Sequence, residues 1–489
     1  MKFAELTPAE RRVWRAFPRG GAVEFRTGDA DDDPGRGGDW GAERTVRAEV
    51  LRELLLGDVS EPGQVAALRL TGARITGLLN LQYGTVPQPI RLMGCHFDET
   101  PNLYGAQTRQ LNLSESYLPG LGAATIRVDG VLRLTDCRIP GTVRLGGARI
   151  SGALFLDRAH LGGDGGAAVA AMELNQASVG DDVWAPGLVT NGELRLNGAR
   201  IEGAFNLDEA RLSNPGRAVL FGAGLTVGAS LRGRGMRTDG MFHLLGAHIN
   251  GALFLLESHL SADGGVALQL SHCHARELLL RDAEPITGCV LLGHAGFGVI
   301  NAAPEVWPGE VDLDGLAYDA LTPRLPAARR LELLERDRAG FVPFAYEQLA
   351  ASYRRIGDDA AARAVLLAKQ RRRRSGLPWY ARLWGLAQDA TVGYGYRPLR
   401  AAAWLLALLV IGAVAYGLRH PPPVEAGKGP AFNPVVYTLD LLLPIIDFHQ
   451  EKAFNPEGFY QWLSYGLIAS GWILATTIAT GLTRAVSRQ

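Results

Sequence analysis

Residues 271–275 read "SHCHA", placing His272 and His274 on one face of any strand with Cys273 opposite. Two imidazoles side by side are candidate ligands for a divalent metal, with His243 or His294 in support, although no compact zinc-type spacing accompanies them. Anion binding is a second chemistry. Arg74, His96, Arg138, Arg149, His160, Arg200, Arg211, His248, His259 and His274 each precede a recurring interior position. If that repeat stacks, they align in one or two columns, and Arg138, Arg149, Arg200 and Arg211 become a candidate track for a polyanion or a protein partner. Acidic neighbours such as Asp136, Asp157, Glu202, Asp208 and Glu209 offset much of this charge. A third chemistry is ion passage. The stretch 435–448 is apolar except for Thr438, Asp440 and Asp447, with Pro444 between the acids. As a re-entrant loop of an oligomer, Asp440 and Asp447 would ring a cation path. As a short amphipathic helix on the outer leaflet, the simpler reading, they would face water. "GFGVIN" (296–301) and "GLGAAT" (120–125) lack the final Gly and the helix of a dinucleotide fingerprint, so no cofactor and no catalytic residue is expected.

The elements that position these residues follow from periodicity. From about residue 64 to 316 the chain repeats itself, most clearly in "VRLGGARISGALFLDRAHL" (143–161) and "LRLNGARIEGAFNLDEARL" (194–212). Ile139, Ile150 and Leu161 are 11 apart, and Ile201 to Leu212 repeats the step. Short L-x-L runs of period 2, broken by Gly corners, cannot bury an apolar face alone and predict a stacked parallel β-helix. Gly numbers 61 of 489, about 12% against a usual 7% or so, which argues against helix through this region. Residues 8–16 and 43–57 have helical patterns and form an N-terminal cap within 1–63, with "GDADDDPGRGG" between them as a solvated loop. The solenoid proper spans 64–325. Residues 326–376 form a helix–turn–helix connector with Gly357 at its corner.

Two long apolar runs close the chain, Ala401 to Leu418 and Phe459 to Leu482, each about long enough to cross a bilayer. Basic residues concentrate before the first and after the second, including Arg371, Arg372, Arg373 and Arg374, which would face anionic inner-leaflet lipid. The expectation is a plasma-membrane protein with two spans over 401–489, an outer loop at 419–458 and both termini cytoplasmic. The N-terminus has no apolar signal-peptide core, and four scattered Cys suit a reducing compartment. "TVGYG" (391–395) is the letter string of a potassium filter, yet it precedes the first run instead of lying between the two. It belongs to an aromatic and basic juxtamembrane segment at 377–400. Lys plus Arg equals Asp plus Glu at 50 each, so global charge points to no nucleic acid.

The "L-x-L-x-GARI-x-G" coils, "RTVRAEVLRELLLG", "AKQRRRR", "TVGYGYRP" and "YTLDLLLPIIDFHQE" together resemble a group of bacterial, often actinobacterial, membrane proteins with degenerate pentapeptide-like repeats. Members commonly carry the label membrane-associated oxidoreductase. The resemblance implies a mainly β solenoid with helical caps and a C-terminal transmembrane hairpin. The activity it implies has no fingerprint, CxxC pair or haem motif behind it here. The expected role is a scaffold or binding module at the inner face of the membrane, with an oligomeric channel and an oxidoreductase as the other readings.

Overall fold

The computed structural model describes residues 3–28, 32–57, 61–163, 170–375, 398–424, 431–443 and 446–486. "TVGYG" and the juxtamembrane segment up to residue 397 lie outside them. The chain divides into two units, Met1–Gln348 and Leu349–Gln489.

The first unit is a parallel β-solenoid of about 11 coils. Arg127 is the register partner of Arg149, and Arg138 of His160, so one regular coil takes 22 residues. The 11-residue step of the sequence is therefore half a coil. A regular coil has four two-residue strands, as in 127–128, 132–133, 138–139 and 143–144, which merge into longer strands such as Arg211–Phe221 and His259–Gln269 in the later coils. Within each half-coil every letter of the motif has a task. In "VRLGGARI" Val143, Leu145, Ala148 and Ile150 are buried, whereas Arg144 and Arg149 are exposed. Ala148 N–H donates to the Leu145 carbonyl at 3.0 Å, closing a turn in which Gly147 has φ +66°. That left-handed position recurs once per half-coil and is held by non-glycine residues at Thr125, Asp136, Arg158 and Gln176, among others. Small residues follow it because the corner points inward. Cys95, Cys137 and Cys273 replace the Ala of "GARI", and all are fully buried. Burial pushes their thiols up to about 12, which makes them inert core atoms.

Interior residues stack coil upon coil. One column runs Leu132, Leu154, Val183, Phe205, Leu231 and Leu253; another runs Leu121, Val143, Met172, Leu194, Leu220 and Phe242. At about 4.8 Å per coil the solenoid is about 50 Å long.

The ends are closed as a solenoid requires. At the N-terminus, α1 (Pro8–Ala16) carries a Thr7/Glu10 capping box and α2 (Ala48–Leu56) buries Val50, Leu51, Leu54 and Leu55. The cap also contributes strands: Ala22–Glu24 pairs with residues 69–71 and Thr45–Arg47 with residues 74–76, so it is built as a first coil. Glu10 locks the two parts, accepting from Arg47 Nε at 2.7 Å and Nη2 at 2.8 Å. At the C-terminus α3 (Ala327–Leu334) brings buried Arg330, which donates to the Ala302 carbonyl at 3.0 Å and the Pro323 carbonyl at 2.7 Å. Asp337 accepts from Leu313 N–H at 2.9 Å. These contacts satisfy backbone groups that the last coil would leave orphaned. The sequence patterning did not show α3. Helices α4 (Pro343–Arg355) and α5 (Asp359–Ser375) turn at Gly357, φ +79°, as expected.

In the second unit α6 (Pro398–Leu418), α7 (Pro434–Leu442) and α8 (Phe459–Val486) pack on one another around Tyr416, Tyr437, Leu441, Leu442, Phe454 and Leu467. Small residues permit the approach. A Cβ on Gly412 would lie 2.3 Å from Thr438 Cγ2, and one on Gly471 would lie 2.2 Å from the Leu442 carbonyl oxygen. Gly471 thus serves an intramolecular contact. Among the described residues no helix is long and apolar enough to cross a membrane. The described side chains cover 402–418 of α6 and 459–475 of α8.

Candidate functional site: two basic columns on the solenoid

Folding sorts the ten basic positions into two columns on different sheets. The first runs Arg127, Arg149, Ser178, Arg200, Thr226, His248 and His274. The second runs Arg74, His96, Tyr117, Arg138, His160, Val189, Arg211, Arg237 and His259. Of the four arginines singled out from sequence, Arg149 and Arg200 belong to the first column and Arg138 and Arg211 to the second. They are not one track. Arg127 and Arg237 escaped notice; subtracting one coil from Arg149, or following the register from Arg211, would have found them.

The two columns differ in what neutralises them. Arg74 holds Asp98 through Nε at 2.9 Å and Nη2 at 3.0 Å, and His96 Nε2 lies 3.4 Å from the same carboxylate. Arg138 pairs with Asp33 at 3.0 Å. The expectation of a solvated loop is thereby corrected. Residues 32–40 form a strap over the head of the second column, its 3-10 turn Pro34–Asp39 starting where the Pro34 carbonyl lies 2.8 Å from His96 Nδ1. Gly37 permits the approach, since a Cβ there would fall 2.3 Å from His96 Cβ. Asp32 anchors the strap from inside by accepting from Gly28 N–H at 2.7 Å and pairing with Arg44 at 2.8 Å. Burial works against charge on Asp32 and Asp33, but these backbone and guanidinium partners hold both carboxyls below their usual range.

Among the described residues nothing comparable covers the first column. Arg127, Arg149 and Arg200 are exposed and, among the described residues, make no ion pair. Arg127 and Arg149 are direct register neighbours, and like charges so placed repel. Arg211 and Arg237 repeat this in the second column beyond the strap, both exposed. Three such guanidinium groups on the first column and two on the second present planar donor forks to carboxylates or phosphates.

The remaining candidates fall elsewhere. His272 sits on a left-handed corner at φ +56°, not on the strand face of His274. It stacks on His294 at 5.1 Å, whereas His274 stacks on His248 at 5.3 Å, so the two histidines of "SHCHA" join different columns. His243 lies in a further column, stacked on Phe221 at 4.2 Å. Among the described residues no group of three or more His, Cys, Asp or Glu is arranged to hold a metal.

Asp440 is buried in α7 and accepts three backbone N–H groups, from Phe448 at 2.7 Å, Gln450 at 2.9 Å and Glu451 at 2.7 Å. Both of its oxygens thereby shape the segment that follows the helix. Asp447 is half exposed and pairs with Lys452 at 2.6 Å; that bond and the His449 N–H hold its carboxyl below the usual range. The region 432–456 is also no free-lying amphipathic helix, for Tyr437 and Thr438 are buried against α6 and α8. Arg371, Arg372 and Arg373 are exposed at the end of α5. No protein-family profile, curated protein or solved structure matches this chain.

Proposed function

We propose that the protein is a membrane-anchored solenoid that docks an acidic segment of a partner protein along the column Arg127–Arg149–Arg200. The observation that carries this reading is the stacking of unpaired arginines in register with no acid between Arg127 and Arg149. The chain itself supplies the chemical precedent, because its own acidic strap lies on the sister column and pairs Asp33 with Arg138. A rigid ladder loses little entropy on binding an extended acidic strand, and its basic side chains raise the encounter rate. Anchorage is supported by large apolar side chains exposed on α6 and α8, among them Trp404, Leu406, Val410, Ile411, Trp462 and Trp472. Such contiguous apolar surface belongs against lipid or protein. The two apolar runs, the basic residues flanking them and the resemblance to bacterial membrane proteins support a two-span hairpin with a cytoplasmic solenoid.

The test uses the full chain in detergent. A fluorescent oligoglutamate peptide is titrated at low ionic strength against the wild type and the Arg127→Gln/Arg149→Gln/Arg200→Gln variant. Binding that weakens about tenfold or more in the variant, and that fades with salt, is expected. Equal binding by both proteins overturns the docking column, and release of the full chain from membranes by alkaline carbonate overturns the anchor.

A further inference from the structure

The first basic column ends in imidazoles. His248 opens the strand His248–Phe254, His274 opens the strand His274–Leu279, and the two are register partners on adjacent coils. Their rings are stacked with centroids 5.3 Å apart and planes 19° from parallel. Both are exposed, and both are held in the same way. His248 Nδ1 lies 3.3 Å from the Gly246 carbonyl and His274 Nδ1 lies 3.1 Å from the His272 carbonyl. A carbonyl only accepts, so each Nδ1 carries the hydrogen and each Nε2 keeps its lone pair. This is the orientation that backbone carbonyls impose on metal-binding histidines.

We propose that His248 and His274 form a two-imidazole site for a late first-row divalent metal (Ni2+, Cu2+ or Zn2+), with water completing the coordination. Imidazole nitrogen suits these ions, whereas Mg2+ and Ca2+ prefer oxygen. Metal–nitrogen bonds of about 2.1 Å place the two Nε2 atoms roughly 3–4 Å apart. Side-chain rotation alone brings the rings to that separation, since the coil spacing already sets the strands at about 4.8 Å. The neighbouring pair, His272 and His294, is stacked as closely at 5.1 Å. Neither ring makes a side-chain hydrogen bond among the described residues, so nothing presets its tautomer. Arg276, exposed two residues beyond His274, adds a repulsive charge. With two protein ligands and that neighbour the site is exchangeable, which leaves positions open for a ligand brought by a partner.

The experiment uses the full, untagged chain in detergent, titrated with Ni2+ alone by calorimetry and with Cu2+ alone by electron paramagnetic resonance. One saturable site per chain with two nitrogen ligands is expected. His248→Gln and His274→Gln should each weaken binding about tenfold or more, and Arg276→Gln should tighten it. His272→Gln and His294→Gln should leave it unchanged. A wild type with no saturable site below about 1 mM, or binding lost through His272→Gln or His294→Gln and kept in His248→Gln, overturns the assignment. All these side chains are exposed, so loss of binding without loss of the β circular-dichroism signal reports on ligation and not on folding.

Discussion

Two threonines interrupt an otherwise aliphatic interior column, and removing their hydroxyl groups should stabilise the protein. The column runs Ile139, Leu161, Thr190, Leu212, Thr238 and Leu260. Thr190 is 0% exposed and Thr238 2%, and among the described residues the Oγ1 atom of each has no hydrogen-bond partner. Mutational costs of about 1–3 kcal/mol for a buried hydroxyl without a partner already include the apolar gain of the methyl that replaces it, and an isosteric change recovers the lower part of that range. Val keeps the branched shape, so neither a cavity nor overpacking offsets the gain. Thr190→Val and Thr238→Val should each stabilise the solenoid by about 1–2 kcal/mol. One full coil separates the sites, about 10 Å, so the double variant should gain about 2–4 kcal/mol. Guanidinium unfolding of the full chain, followed by far-ultraviolet circular dichroism, should show a higher midpoint at unchanged slope. Thr190→Ala, which removes the methyl as well, should not match the gain. If Thr190→Val lowers the midpoint, the hydroxyl is satisfied in solution, and the picture of a dry, wholly apolar column fails.

Four further outcomes follow from the same geometry. Burial depresses the imidazole of His243 below 6.5, so the unfolded chain takes up a proton that the folded chain refuses; stability is full above that pH and falls as pH drops through it, by at most about 1.4 kcal/mol per unit, and His243→Gln should flatten the slope. Asp440→Asn should speed hydrogen exchange at the amides of Phe448, Gln450 and Glu451 about tenfold or more, while Asp447→Asn, which frees the His449 amide, leaves Gln450 and Glu451 untouched. Gly37→Val should lift the strap from His96 and make Arg36 a preferred trypsin site, whereas Asp33→Ala, which removes a surface ion pair and the cap on Gly35 N–H, should cost about 1–2 kcal/mol. Thiol reagents at pH 8 should leave Cys95, Cys137 and Cys273 unmodified until the solenoid unfolds, because thiols raised to about 12 carry almost no thiolate.

Local pattern was enough to declare the solenoid. Alternation of period 2 and a Gly or turn residue at each corner are properties of ten or so consecutive residues, and stacking follows because no single coil buries its own apolar side. Helices α1, α4 and α5 were legible for the same reason: their caps and periodicity are local. α3 was not, since Arg330 and Asp337 gain their purpose from carbonyls and amides of the last coil. The acidic stretch "GDADDDPGRGG" looked solvated because the partners of its Pro34 and Asp33, His96 and Arg138, are more than fifty residues away. Register was the decisive unknown. An 11-residue repeat is compatible with one column or two, and only the 22-residue coil separates Arg149 from Arg138 and His274 from His272. Composition determined that arginines and imidazoles would line the outside; the path of the chain between coils decided which of them became neighbours.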